Sequence, residues 1–256
     1  MEVEGIYVDD SYVSAENENL KLVYVFYNVF TDNENLKVSS DGAKLTINDT
    51  NTYDCSQGTG NCEAMGSYYY SKYVEDVYVG DSLKIVSTFV VPKGDLEGGR
   101  TLNIAPYGIS DSDKIKMSTD DIVFCNSAEE IAQLADPEGY NDYKNKLQPA
   151  DEETVAKVNE ILNGASFEMT VAENSKIEFA FTAPDRFEVL LGGYSINSGT
   201  YVVTNGYISC TYDGTVDLEG NKVSDDGGEP INFPWNWAED GSFEMQPAAN
   251  FAGMFF

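Results

Sequence analysis

The chain has 256 residues, 42% of them apolar, enough to bury one large core or two modest ones, and its length favours two domains. Fifteen basic against 44 acidic residues give a formal charge of -29, a surface that repels phosphate backbones and anionic lipid heads and so argues against nucleic-acid and peripheral-membrane roles. Histidine is absent, which removes the Ser-His-Asp triad, the Cys-His pair and His-ligated zinc, and leaves carboxylates, Tyr, Lys or Cys for any chemistry.

The apolar triplet Ile6 to Val8 reads as an edge strand. Residues 20–30, LKLVYVFYNVF, are apolar at nearly every position, the pattern of a central strand covered on both faces. A loop follows, and residues 44–48 alternate, with Leu45 and Ile47 on one side. Cys55 and Cys62 bracket a Gly-containing loop suited to a disulfide. Free thiols remain the alternative, and a metal role lacks further Cys or His partners. Tyr68, Tyr69, Tyr70, Tyr73 and Tyr78 crowd one stretch, as a platform for a glycan or a protein, or as half-buried strand residues.

From Val77 the sequence VYVGDSLKIVSTFVVPKG turns at Gly80-Asp81, alternates from Leu83 to Val91 and stops at Pro92. Together with the strand at 20–30, its Asn-rich loop and a later strand at 101–107, this resembles the telokin-like immunoglobulin-type domains of exported lipoproteins and surface proteins of Gram-positive bacteria. The resemblance spans residues 20–124. It implies a β-sandwich completed by residues 114–125 and an envelope location, and it carries no catalytic residues. Gly80-Asp81 stands where that family more often has Pro-Gly.

Residues 127–164 form the one long helical stretch. Ser127 and Glu130 form a capping box, with Ile131, Leu134 and Ala135 on one face, and Pro137 ends that piece. After Pro149, Asp151 to Glu153 sit at the positive end of a second helix whose stripe is Val155, Val158 and Leu162, closed by Asn163-Gly164. Strands at 166–172, 176–183 and 186–191 read as a meander, broken by Gly192-Gly193. Asn205-Gly206, between a strand at 200–204 and one at 207–212, is the signature of a hairpin whose two turn residues take positive φ. With the later Phe233-Pro-Trp-Asn-Trp237, this half resembles, at the level of fold alone, the small lipocalin-like barrels or rolls of bacterial envelope proteins.

The expected architecture is therefore mainly β: an immunoglobulin-like β-sandwich at 1–125, a helical joint at 126–164 and an antiparallel barrel or roll at 165–256. Cys125 and Cys210 flank the joint and either pair across it or stay as buried thiols. No cofactor is expected. Calcium is conceivable at Asp213, Asp217, Glu219, Asp225, Asp226 and Glu229, although their spacing does not fit the helix-loop-helix calcium loop and a solvated loop explains them. Trp235 and Trp237 could stack on sugar rings, or one plugs the core while the other lies at its rim. Neither Asp185 with Glu188 nor Glu239 with Asp240 carries a glycosidase signature beyond proximity.

The expectation is a non-catalytic module, monomeric and without a transmembrane segment, that contacts a protein or glycan at the surface of a Gram-positive bacterium. A glycan-binding module using Trp235, Trp237, Tyr68, Tyr70 and Tyr73 is the first alternative and a carboxylate glycosidase the second. The chain opens Met-Glu-Val-Glu, without the basic start and apolar run of an export signal, so the expectation lies between a cytosolic protein and the mature form of an exported one, and the Cys55–Cys62 loop with the Asn, Thr and Tyr content favours the second.

Overall fold

The computed structural model describes residues 1–248 except 15–16, 33, 57–62, 67, 69–74, 108–114, 173–174, 217–221, 225–227, 229 and 247. The chain is mainly β and divides into two compact units, Met1–Tyr143 and Lys144–Phe256.

The first unit holds β1 (Glu2–Asp9), β2 (Leu20–Phe30), β3 (Leu36–Ile47), β4 (Asn51–Asp54), β5 (Glu75–Val77), β6 (Ser82–Pro92), β7 (Thr101–Tyr107), β8 (Ile115–Ser118) and β9 (Val123–Cys125), followed by α1 (Ala128–Ala135) and the start of α2 (Pro137–Lys146). One sheet runs β6-β2-β1-β9, the other β4-β3-β7-β8 with β5 beside β3. The unbroken apolar run of β2 is explained by two partners. Val23, Val25, Tyr27 and Val29 share a core with Val38, Leu45, Ile47, Leu102 and Ile104 of the second sheet. Leu22, Tyr24 and Phe26 face the other way, into a layer made by Ala64, Met65, Tyr68, Ile131 and Ala132. β6 divides its side chains likewise, Ile85, Phe89 and Val91 to one core and Val86 to the other.

Several expectations need correction here. β1 is no edge strand: it lies between β2, antiparallel, and β9, parallel. It can do so because Ile6 and Val8 enter the inter-sheet core while Tyr7 packs against the opposite layer. The stretch at 44–48 is the end of a longer strand that turns through Asn48 and Asp49, at φ 53° and 57°, into β4. The pair of positive φ values expected at Asn205-Gly206 thus occurs at Asn48-Asp49, within the three-residue loop between the paired Ile47 and Asn51.

Ser127 caps α1 by accepting from the Glu130 amide at 3.2 Å, but the Glu130 carboxylate reaches past Ser127 to the Asn126 amide at 2.7 Å. Leu134 is exposed, and Ile131 and Ala132 are the residues that α1 buries. Pro137 ends α1 and also opens α2 at the first helical position, where its missing N–H costs nothing. The turn at 63–66 meets this junction so closely that a Cβ on Gly139 would lie 2.6 Å from the Gly66 Cα.

The second unit holds α3 (Glu152–Leu162), β10 (Ser166–Ala172), β11 (Ser175–Thr182), β12 (Arg186–Leu191), β13 (Tyr194–Val203), β14 (Tyr207–Tyr212), β15 (Thr215–Val216), β16 (Lys222–Ser224), β17 (Ile231–Trp237) and β18 (Phe243–Met245). Seven strands form one antiparallel path, β10-β11-β12-β13-β14-β17-β18, and β15 with β16 makes a separate small hairpin. The meander at 166–191 is as expected, and Gly192-Gly193 is itself a two-residue hairpin loop that pairs Leu191 with Tyr194.

Asp151 caps α3, accepting from the Thr154 amide at 2.9 Å and its hydroxyl at 2.8 Å, and these bonds hold its carboxyl below the usual range. Val158 and Leu162 pack on Phe179, Phe181, Phe187, Tyr201 and Ile208, and the Tyr201 hydroxyl donates to the Asn159 side chain at 3.0 Å. The helices thus split between the two units, α1 in the core of the first and α3 in that of the second.

The hairpin β13–β14 forms, but neither Asn205 nor Gly206 has a positive φ. The turn amides point outward instead, Asn205 to the Gln148 carbonyl at 2.9 Å and Gly206 to that of Lys146 at 3.0 Å. Those remote acceptors open the turn. Within the turn the Thr204 hydroxyl donates to the Tyr207 carbonyl and accepts from the Tyr207 amide.

Candidate functional site

In β17 the odd-numbered side chains point to one face. Ile231, Phe233 and Trp235 are core residues of the second unit, and Trp237 is the next position on that face. The core ends between the two indoles, for Trp235 is 8% exposed and Trp237 41%.

Trp235 is fixed at both ends. Its indole N–H donates to the Thr204 carbonyl at 3.1 Å and its amide to the Gly206 carbonyl at 3.1 Å, so it clamps the opened turn. β18 lines up against it, Trp235 opposite Met245 and Trp237 opposite Phe243. The Trp237 ring meets Trp235 edge-on at 5.8 Å and Phe243 at 5.7 Å, while Phe243 stacks on Trp235 at 5.7 Å. Such contacts hold an aromatic ring in one orientation. The connecting turn is equally defined. Ala238 donates to the Ser242 carbonyl at 2.8 Å and Asp240 accepts from the Ser242 amide at 2.9 Å; the Ser242 side chain first, and this amide bond second, hold the Asp240 carboxyl below its usual range. Asp240 is thus occupied in an ordinary turn. On the opposite face of the ribbon the Asn236 amide donates to Glu244 at 3.2 Å. The result is a supported ledge presenting one exposed indole.

The other residues singled out in the sequence that the structure describes have surroundings of their own. Tyr68 is buried against Phe26, its hydroxyl donates to Glu4, and Lys84 lies over its ring at 5.1 Å, so it is no contact platform. Burial, with the Glu4 bond, pushes its phenol far up. Tyr78 is exposed, and Tyr69, Tyr70 and Tyr73 lie outside the described residues.

Cys62 also lies outside them, and with it the expected Cys55–Cys62 bridge. Cys125 and Cys210 are buried free thiols, not a bridge clamping a joint. Burial pushes the Cys125 thiol up to about 11, helped by Glu130 and Asp9, and pushes Cys210 further up.

Of the six calcium candidates, Asp213 is described and is fully engaged. Arg186 donates to both its oxygens, at 3.0 and 2.6 Å, and the Ser198 hydroxyl adds a bond at 2.8 Å. Asp217, Glu219, Asp225, Asp226 and Glu229 fall outside the described residues. Asp185 serves through its carbonyl, which accepts from the Tyr201 amide at 2.8 Å. Glu188 points outward from β12, and Glu239 is exposed in the turn.

Nothing in the sequence announced the Trp235–Thr204 clamp or the Glu4–Tyr68 pair, because each joins residues far apart in the chain. Among the described residues no helix is long and apolar enough to cross a membrane. Neither a protein-family model, nor a curated protein, nor a solved structure matches the chain.

Proposed function

We propose that this protein is a non-catalytic interaction module displayed outside the cell by a Gram-positive bacterium, with an immunoglobulin-like sandwich followed by an antiparallel roll, and that it meets its partner through the Trp237 ledge. The observation that carries the reading is the exposed indole itself. An indole left 41% exposed, yet held by two packed rings, is a preorganised contact surface that loses little freedom on binding.

The sandwich reading is supported by strand partition. β1, β2 and β6 lie together in one sheet and β4, β3, β7 and β8 in the other, as the A, B, E and C′, C, F, G strands do in immunoglobulin-type domains. β9, parallel to β1, and the helical layer over the first sheet are additions to that plan. The exported location rests on the resemblance of residues 20–124. A native gene with no export signal or lipobox would remove it.

A glycan is the second reading for the partner, favoured by the flat apolar ring face of Trp237. Arrays of extracellular proteins and of wall and host oligosaccharides, probed with the native chain and with Trp237→Ala, test both. A retained binder whose signal falls about tenfold or more with the variant is expected. Binders indifferent to Trp237→Ala, or no binder in either array, count against the ledge.

A further inference from the structure

A second surface belongs to the first unit, whereas the Trp237 ledge belongs to the second. At one end of the sandwich the loop after β2 and the turn before β6 are tied together: the Gly80 amide donates to the Thr31 carbonyl at 3.0 Å and the Val79 amide to the Asn35 side-chain oxygen at 3.1 Å. Within the first loop the Thr31 hydroxyl donates to the Glu34 carbonyl at 2.6 Å, and Asp81 closes the turn on the Tyr78 carbonyl at 2.9 Å. This bonded tip carries three exposed apolar side chains, Phe30, Tyr78 at 56% and Val79 at 51%. Around them stand the exposed carboxylates of Asp32, Glu34 and Asp81, and the nearby exposed Lys37, which interacts with Tyr78, is paired with Asp76 at 2.8 Å.

Loops of this kind usually carry polar residues, and these large apolar groups lie substantially exposed outside the core cluster of the sandwich. We infer that this tip is a docking surface for a protein segment that presents an apolar side chain flanked by lysines or arginines. Charge complementarity selects that partner. The apolar trio supplies the desolvated centre of a contact and the three carboxylates its rim, a rim that attracts a basic partner and repels an acidic one. A second copy of the chain would set carboxylate against carboxylate, and an anionic lipid surface or nucleic acid would be repelled. The cross-loop bonds preorganise the tip, so binding orders few new torsions.

The test is a displayed random-peptide library panned on the full chain at physiological salt, because a charge of -29 attracts any cation weakly at low salt. The expected peptides pair Lys or Arg with an aromatic or aliphatic residue. Their affinity falls about tenfold or more for the double variant Tyr78→Ser, Val79→Ser. For the triple variant Asp32→Asn, Glu34→Gln, Asp81→Asn they associate more slowly, with a flatter salt dependence. Circular dichroism and the urea midpoint of each variant, matched to the native chain, establish that the fold is kept. Enriched peptides without basic residues, affinity unchanged in the double variant, or no enrichment would each overturn the inference. So would sedimentation showing a dimer that Tyr78→Ser dissolves. None of these outcomes depends on Trp237, so the two surfaces stand or fall separately.

Discussion

Gly199 offers the sharpest test of the second unit. It sits inside β13, paired with Phe187 on one side and Tyr212 on the other, and its backbone is not in the left-handed region. A glycine in such a place ordinarily costs stability, and replacing it by alanine would gain roughly 0.5 to 1 kcal/mol. Here the space is taken. A Cβ would overlap the Thr211 carbonyl oxygen and lie 2.6 and 2.7 Å from two ring carbons of Phe187. Carbon atoms sit comfortably about 3.5 to 4.0 Å apart, so the ring or a neighbouring strand has to move by close to an ångström. Phe187 is itself packed on Phe179, Phe181 and Tyr212, which makes that movement costly. Overpacking of this kind costs about 1 to 3 kcal/mol, and the upper part applies because one obstacle is backbone. Set against the entropic gain, Gly199→Ala should destabilise the unit by about 2 kcal/mol. Both tryptophans of the chain belong to this unit, so their fluorescence during urea unfolding reports it selectively. The midpoint should drop by about 1 M with an unchanged slope, while Val202→Thr, on the exposed side of the same strand, stays within about 0.5 kcal/mol. An unchanged or raised midpoint for Gly199→Ala would refute the packing described for β12, β13 and β14.

Three further outcomes follow from the cores and the polar clusters. Gly139→Ala, which as a helix substitution should gain about 1 kcal/mol, is expected to destabilise the first unit because its Cβ would press on the Gly66 backbone; tyrosine near-ultraviolet dichroism should show the loss and tryptophan fluorescence should not. Asp95 accepts from Tyr53, Asn51 and Arg100, with the Tyr53 bond the main cause of its lowered pKa. A carboxyl depressed in the folded state contributes stability that is present above its unfolded value, about 3.9, and is lost as pH falls through the lower folded value. Acid titration of the first unit should therefore steepen below about pH 4 in the native chain and flatten in Asp95→Asn; parallel curves would exclude that role. Finally, Cys125 and Cys210 should resist alkylation at pH 8 in the native state and react once urea is added without any reductant, as read by intact mass. Failure to react in urea would indicate a bridge.

The strands that sequence reading located best are those whose environment is set by their own pattern. β2, apolar at nearly every position, announces its burial on both faces directly, and the alternating pattern of β6 announces a strand, although not that Val86 enters a second core. What stayed hidden depends on distant partners. The interior place of β1 comes from β9, more than a hundred residues later, and no local pattern encodes a parallel neighbour. α2, PEGYNDYKNK, has no apolar stripe; it is held by Tyr140 and Tyr143 against the core of the first unit. Asn205-Gly206 showed where the chain reverses but not how, since the carbonyls of Lys146 and Gln148 override the turn's own preference. At the ledge, alternation puts Trp235 and Trp237 on one face, yet only the extent of the core decides that the first is buried and the second exposed.

The central claim is that the protein meets its partner through Trp237. Hydrogen exchange of the native chain, alone and saturated with the strongest binder retained by the protein and glycan arrays, tests it most directly. Slowed exchange confined to residues 236–244 is the predicted result. Protection elsewhere, with the amides from Asn236 to Glu244 exchanging as in the free chain, would contradict it.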